Sequence, residues 1–433
     1  MKKKFFEQFD YLLILCVLIL VSTGIAFIYS SGINAEGVLV TNEYIKQIVW
    51  AGIGCVLMIG TTIFFDIYHF RHVLHILYIV SLGILCYTAL FGRYVNGARS
   101  WIGIGNFGVQ PSEFMKLIFI ITLSRYLADS TEEHPVKRCA LATGICVLPV
   151  GLILLQPDLG TASVYIPIFL IVCFMAKIPF PYLLYLLSLG IVTIVFTVLP
   201  IWNDTIARTS TAVIKVLTDS RLRLIVSVSS VTIAAIAIII YRFLYRKKYY
   251  RWIASTFSII ALAIFLSFCA GKVLHDYQIQ RLLVFLDPST DPRGAGWHII
   301  QSKIAIGSGG LWGRSFLQGT QSHYRFLPQQ STDFIFSILS EEWGFAGGLL
   351  VYTLYALILI RMLVIMWKTS DKFFLYIISG IFAMFFFHFF INIGMVIGIM
   401  PITGIPLLFL SYGGSSLWTA MVSIGLVMNI SRK

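Results

Sequence analysis

Charge is what this chain has least of. Asp, Glu, Lys and Arg make up 12% of its 433 residues, about half the share found in soluble domains. With 58% hydrophobic residues and a mean hydropathy of +0.88, that scarcity excludes a soluble globular protein. Segments of about ten residues with alternating polarity are also missing, which excludes a transmembrane β-barrel. The seven cysteines form no CxxC pair and all lie in or beside apolar segments. A disulfide framework and zinc sites therefore drop out, and packing as small buried hydrophobes is left as their role. Internal repeats, low-complexity tracts and a separate soluble domain are absent as well.

What is present is a series of long apolar runs. A helix needs roughly 20 such residues to cross a bilayer. Runs and breakers predict spans at 11–30, 46–65, 73–91, 112–128, 138–155, 160–176, 181–200, 224–242, 252–272, 333–362, 373–399 and 405–430. The expected fold is an all-α polytopic membrane protein of about twelve transmembrane helices, a single integral membrane domain over 1–433. Its largest extracytoplasmic loop, 273–332, precedes the tenth helix. The start, "MKKKFFEQFDYLLILCVLILVSTGIAF", has the charge layout of a signal peptide. Its apolar stretch is too long for a cleaved one and further helices follow, so it reads as a retained first helix with Lys2 to Lys4 in the cytoplasm. An even helix count puts both termini there, in a cytoplasmic membrane.

The net charge of +13 fits this threading without a nucleic-acid partner. Arg71, Arg125, Lys137, Arg138, Lys177, the cluster "YRFLYRKKYYR" at 241–251, Lys368 and Lys372 all fall on the inner side, as the positive-inside rule requires. The cluster fits only if the two helices flanking it both exist. Removing that pair preserves the parity of everything after it, so 201–251 reads as an inserted region carrying an extra helix pair on a ten-helix plan. The outer loops also hold cations: Arg93, Arg99, Arg281, Arg293, Lys303, Arg314 and Arg325. Two readings stand side by side: a polyanionic outer ligand such as a pyrophosphate, or snorkelling and solvated side chains.

Five stretches carry the candidate chemistry. In "NGARSWIGIGNFGVQPSEFMK" (96–116) glycines and asparagines punctuate a compact loop, and "QPSE" opens a helix with Pro111 in its first turn and Glu113 at its positive end. Glu113 and Lys116 share a face, as a capping ion pair or as a functional one. "LLQPDLGTA" (154–162) leaves Asp158 to cap the next helix or to hold a cation. "LDPSTDPRGAGWHIIQSKIAIGSGGLWG" (286–313) places Asp287 and Asp291 before prolines, then glycines, then a short amphipathic helix. Asp287 suits an Asx-turn. "LPQQSTDFIFSILSEEWGFAGG" (327–348) predicts a helix capped by Ser331 or Thr332, with the adjacent carboxylates Glu341 and Glu342 two to three turns deeper, where they need partners. "NIGMVIGIMPITGIPLLFLSYGGSS" (392–416), with Ser411, is broken by prolines and glycines, as helices lining a cavity or buried in protein can be.

Taken in order, "GARSWI", "QPSEFMK", "QPDLGTA", "DPRGAGWHIIQSKIAIGSGGL", "LPQQSTDFIF", "EEWGFAG" and "MPITGIPLLFLSYGGSS" resemble the SEDS family (shape, elongation, division and sporulation) over nearly the whole chain. The wording of 294–313 is closer to the RodA branch than to the FtsW branch. The chain departs from the family in its extra helix pair and in "PQQSTDF", which replaces "PExHTDF". The resemblance implies a peptidoglycan glycosyltransferase with lipid II as donor and acceptor and undecaprenyl pyrophosphate as leaving group. It implies Asp291 as the general base, in the loop 273–332. It also implies a class B penicillin-binding protein as transpeptidase partner, alongside other membrane proteins of cell elongation. Such a reaction needs positive charge at the departing pyrophosphate. Arg99, Lys116, Arg293 and Lys303 are the candidate contacts, with Glu113 orienting Lys116 and with Asp158 and Ser411 as further substrate-binding candidates. No cofactor is implied, and a divalent cation is left open.

Two other readings compete. A lipid II flippase needs a polar route through the bilayer core, yet the candidate residues map to the outer end, with only Glu341 and Glu342 deeper. A non-catalytic scaffold leaves the Asp291 loop without a role.

Overall fold

The computed structural model describes residues 9–95, 97–104, 107–204, 211–273, 276–287, 291, 294–327 and 329–432. Every predicted span coincides with a helix. In chain order these are α1 (Tyr11–Ser31), α2 (Glu43–Phe64), α3 (Leu74–Phe91), α4 (Pro111–Asp129), α5 (Pro135–Leu154), α6 (Leu159–Met175), α7 (Phe180–Trp202), α8 (Ser220–Ile239) and α9 (Lys248–Val273). After the loop helix α10 (Ala295–Gly309) come α11 (Ile335–Lys368), α12 (Lys372–Val396) and α13 (Gly414–Ser431). Among the described residues, nine helices are long and apolar enough to cross a membrane. The predicted helices outside that set, α4, α6 and α13, are shorter or more polar and pack inside the protein, where lipid does not reach their polar groups. Residues buried on α4 include Glu113, Lys116 and Ser124, and on α13 Ser415, Thr419 and Asn429.

The chain forms two compact units. One comprises Met1–Ala176 and Asp291–Lys433, the other Lys177–Thr290. The second unit contains α7, α8 and α9. The end of α8 widens into a π-helical turn, Ile240–Leu244, and α9 folds back with the Tyr185 hydroxyl of α7 3.1 Å from that of Ser258.

In the first unit the stretch after α3 is a three-stranded antiparallel sheet rather than a plain loop: β1 (Arg93–Val95), β2 (Ala98–Ile104) and β3 (Phe107–Val109). Val95 pairs with Ala98, and Ile102 with Val109. The backbone N–H of Arg99 donates to the Gln156 carbonyl (3.2 Å), tying β2 to the turn before α6.

Two predicted boundaries are corrected. The last helix begins at Gly414, not near 405, because Pro401 and Pro406 supply no N–H to a helix and residues 401–413 run irregularly. Their carbonyls are met by side chains from three helices: Gln47 Nε2 donates to Ser411 O (3.2 Å), Asn392 Nδ2 to Ile405 O (2.8 Å) and the Tyr355 hydroxyl to Leu408 O, while His388 Nδ1 lies 3.0 Å from Pro406 O. Gly160 faces Thr403 O so closely that a Cβ there would stand 2.3 Å away. The helix expected from 333 starts at Ile335 with Phe334 at its cap and no side-chain cap bond. The Thr332 hydroxyl turns back to Gln329 O instead (3.3 Å).

Candidate active site

Asp291 is held by its own loop. Gly294 donates its N–H to the Asp291 carboxylate (2.9 Å) and serves as N-cap of α10. A Cβ on Gly294 would lie 2.2 Å from that carboxylate, so glycine is what lets the side chain fold back. One turn along, Trp297 Nε1 donates to the Phe326 carbonyl (3.1 Å), joining α10 to the segment that carries Arg325. Lys303 lies on the same helix but about 12 Å further along its axis, exposed and packed against Gly398. Arg293 lies outside the described residues.

Glu113 and Lys116 meet as expected and are buried almost completely. Lys116 Nζ donates to Glu113 Oε1 (2.7 Å) and sits 3.2 Å from His388 Nε2. An ammonium only donates and a carbonyl only accepts. His388 satisfies Lys116 and Pro406 together as the Nδ1–H tautomer. The other Glu113 oxygen, Oε2, is buried without a hydrogen-bond partner. Sequence reasoning missed His388; its signal was an imidazole inside the apolar run "FFFHFF".

The remaining candidates are not gathered at that pair. Arg99 is exposed on β2, its guanidinium 5.8 Å over the Tyr94 ring and 3.5 Å from Leu90 O. Asp158 caps α6 through Thr161 N–H (3.0 Å) and also accepts from Gln110 Nε2 (2.8 Å), whose backbone N–H donates to Ser415 (3.0 Å). Asp158 thereby pins the N-terminal end of α4. The Ser411 hydroxyl accepts from Leu407 N–H (2.9 Å) inside the irregular segment.

Two loop cations that were read only as members of a group, Arg93 and Arg325, line one cleft of about 710 Å³ with Glu43, Trp50, Trp101 and Tyr412. Trp50 and Tyr412 rings are 5.0 Å apart, and Tyr412 N–H donates to Ser331 O (2.8 Å). Burial, and then the nearby Glu43 carboxylate, push the Tyr412 phenol up to about 12, so it remains a neutral donor. Arg325 and Gln329 on the rim hold left-handed backbone (φ 57° and 54°), a strained conformation for residues with a Cβ that clusters at working sites. Guanidinium groups suit phosphate oxygens, and aromatic faces suit the apolar faces of sugars.

Glu341 and Glu342 are both fully buried. They sit at a break in α11, where Gly344 takes φ 63°, and bind the segment around Leu317–Gln321. Glu341 accepts from the Thr320 hydroxyl (3.1 Å) and Gln321 N–H (2.9 Å), Glu342 from Leu317 N–H (3.0 Å) and the Ser30 hydroxyl. Among the described residues, no group of three or more His, Cys, Asp or Glu side chains could hold a metal ion.

A family model described as a cell cycle protein, covering FtsW, RodA and SpoVE, matches residues 10–212 and 204–433. The chain belongs to the FtsW, RodA and SpoVE family. Among members of this family, it is 50% identical to the peptidoglycan glycosyltransferase RodA of Treponema pallidum, over 99% of this chain and 98% of that one. It is 33% identical to the peptidoglycan glycosyltransferase MrdB of Escherichia coli K12, over 82% of this chain and 76% of that one. A structure described as a peptidoglycan synthase complex coordinating polymerization and crosslinking superposes with a TM-score of 0.65 at 28% identity, covering 98% of both chains. RodA of Thermus thermophilus, a rod shape determining protein, shares the fold with a TM-score of 0.59 at 23% identity, over 98% of this chain and 97% of that one. The all-α membrane plan expected from the sequence is the family's plan.

Proposed function

We propose that this chain is a peptidoglycan glycosyltransferase that polymerises lipid II on the outer face of the cytoplasmic membrane during cell elongation and rod-shape maintenance. Asp291 takes the proton from the acceptor's sugar hydroxyl. The oxygen so freed bonds to the anomeric carbon of the donor. The bond from that carbon to the pyrophosphate breaks, and undecaprenyl pyrophosphate leaves with the electron pair. Arg93 and Arg325 in the cleft meet the charge that develops on it, where preorganised cations lower the barrier most. Trp50, Trp101 and Tyr412 take the sugars. Lys116 and Glu113 hold α4 in place, with Asp158 fixing its N-terminal end.

One observation carries this reading: the Asp291 carboxylate is fixed on α10, and the same helix grips the segment bearing Arg325 through Trp297. Asp291 and Arg325 are therefore parts of one supported loop, and Arg93 of β1 lines the same cleft as Arg325. A flippase is the weaker alternative, because the carboxylates that suggested a deeper polar path are engaged in binding that loop. The synthase complex among the similar structures favours a class B penicillin-binding protein as the crosslinking partner, within a larger elongation assembly. Both termini lie in the cytoplasm in this reading. The test is to incubate the purified chain and its transpeptidase partner with fluorescent lipid II and resolve the glycan products. Wild type yields polymer and Asp291→Asn yields none; polymer from the variant at near wild-type rate would remove Asp291 from the mechanism.

A further inference from the structure

The second unit carries a feature the polymerase reading does not use. Between α8 and α9 lie Arg242, Arg246, Lys247, Lys248 and Arg251, five cations in ten residues. No Asp or Glu occurs from 220 to 275. The unit's acids, Asp204, Asp219, Asp276 and Asp287, flank the far ends of α7, α8 and α9 or follow them. Ser220–Leu244 is 25 residues long, so at 1.5 Å per residue the cluster is about 37 Å from Asp219. The unit therefore supplies no counterion within reach.

The geometry also fixes the depth of these cations. Only residues 245–247 separate the π-helical turn from α9, so the cations cannot extend away from the bilayer on a long loop. They stay at the level where a spanning helix pair leaves the hydrocarbon. Exposed aromatic residues ring them: Phe243 (75% exposed), Tyr245 (57%) and Trp252 (65%), the residue types that settle at the headgroup layer. Arg251 stacks 5.5 Å over Tyr241, and Tyr249 lies 4.2 Å from Tyr250, so the aromatic frame is packed. Arg242 and Phe243 lie on the π-helical turn and are exposed.

We infer that this turn is a binding site for the phosphate headgroups of anionic phospholipid, which supply the negative charge the unit lacks. Basic clusters beside spanning helices attract such lipids with about a fivefold gain in preference for each cation. A cluster that served only to orient the helices during insertion would have no preference among lipids once in place.

Trp252 makes the distinction measurable. The full-length chain is reconstituted in phosphatidylcholine vesicles containing a minor fraction of either brominated phosphatidylglycerol or brominated phosphatidylcholine. The Trp252 signal is taken as the difference from Trp252→Phe. Brominated phosphatidylglycerol is expected to quench Trp252 more than brominated phosphatidylcholine at equal content. The excess falls at high salt and drops about tenfold or more in the triple variant R246Q/K247Q/K248Q, whose helical content, checked by circular dichroism, remains that of the wild type. Equal quenching by the two lipids would overturn the site. So would reversal of the excess by inorganic phosphate at matched ionic strength, which would make the ligand a soluble anion rather than a lipid.

Discussion

Replacing Gly294 with alanine tests the active-site geometry without touching an ionisable group. The new methyl would stand 2.2 Å from the nearer Asp291 carboxylate oxygen, well inside contact distance. The atom it meets is the tip of a short side chain, so the carboxylate moves and the backbone stays. What is lost is the hydrogen bond from Gly294 N–H, now 2.9 Å long. A hydrogen bond to a charged acceptor contributes about 1.5–3 kcal/mol, and each 1.4 kcal/mol is tenfold. If the bond positions the base, Gly294→Ala should lower kcat/KM for lipid II polymerisation by about 10- to 150-fold. Thermal stability should change little, because α10 keeps its packing through Trp297 and the buried Ser302 hydroxyl, 2.7 Å from Val396 O. The assay is the initial rate of glycan formation from fluorescent lipid II, paired with a melting curve in the same detergent. Activity within twofold of wild type at unchanged stability would refute the argument, since the carboxylate would then work equally well in a different place.

Three further outcomes follow from the same structure. Removing either partner of the buried Glu113–Lys116 pair, as Glu113→Gln or Lys116→Met, should cost about 3–5 kcal/mol of stability, and the double variant should cost less than the sum, read from a double-mutant cycle of unfolding in denaturing detergent. Gly344→Ala should destabilise by about 1–3 kcal/mol, because φ is 63° there and a Cβ would lie 2.3 Å from Gly313 N; the same unfolding measurement checks it. Arg325→Ala should reduce kcat/KM for lipid II by about tenfold or more while leaving the melting temperature unchanged, since the side chain is exposed on the cleft rim.

The helices were legible because each is a long apolar run, and in a membrane protein that run is the dominant local signal. The run beginning near 405 misled for the same reason: Ile405, Leu407, Leu408, Phe409 and Leu410 are as apolar as a helix and are buried, but the Ile405 and Leu408 carbonyls are met by Asn392 and Tyr355 of other helices rather than by helical N–H groups. Ser331 and Thr332 looked like caps by position, yet the residues after them close turns first. Spacing alone put Glu113 beside Lys116, because three residues on a helix fix that contact. It could not add His388, 272 residues away. Nor could it select Arg93 and Arg325 from the seven cations expected on the outer side, since that choice depends on how the β1–β3 sheet and the segment after Thr320–His323 are brought to one cleft.

The irregular segment 401–413 has a consequence for how the protein is made. It follows α2, α11 and α12 in the chain, so it is synthesised after all three. Until it arrives, Gln47, Tyr355, His388 and Asn392 have all been made and lack the carbonyls they bind in the finished molecule. Gly24 and Gly160 likewise wait for Leu410 and Thr403 to pack against them. The outer helices can therefore enter the bilayer in order, one after another. A chain that stops at Met400 lacks the segment that these four side chains and two glycines pack against.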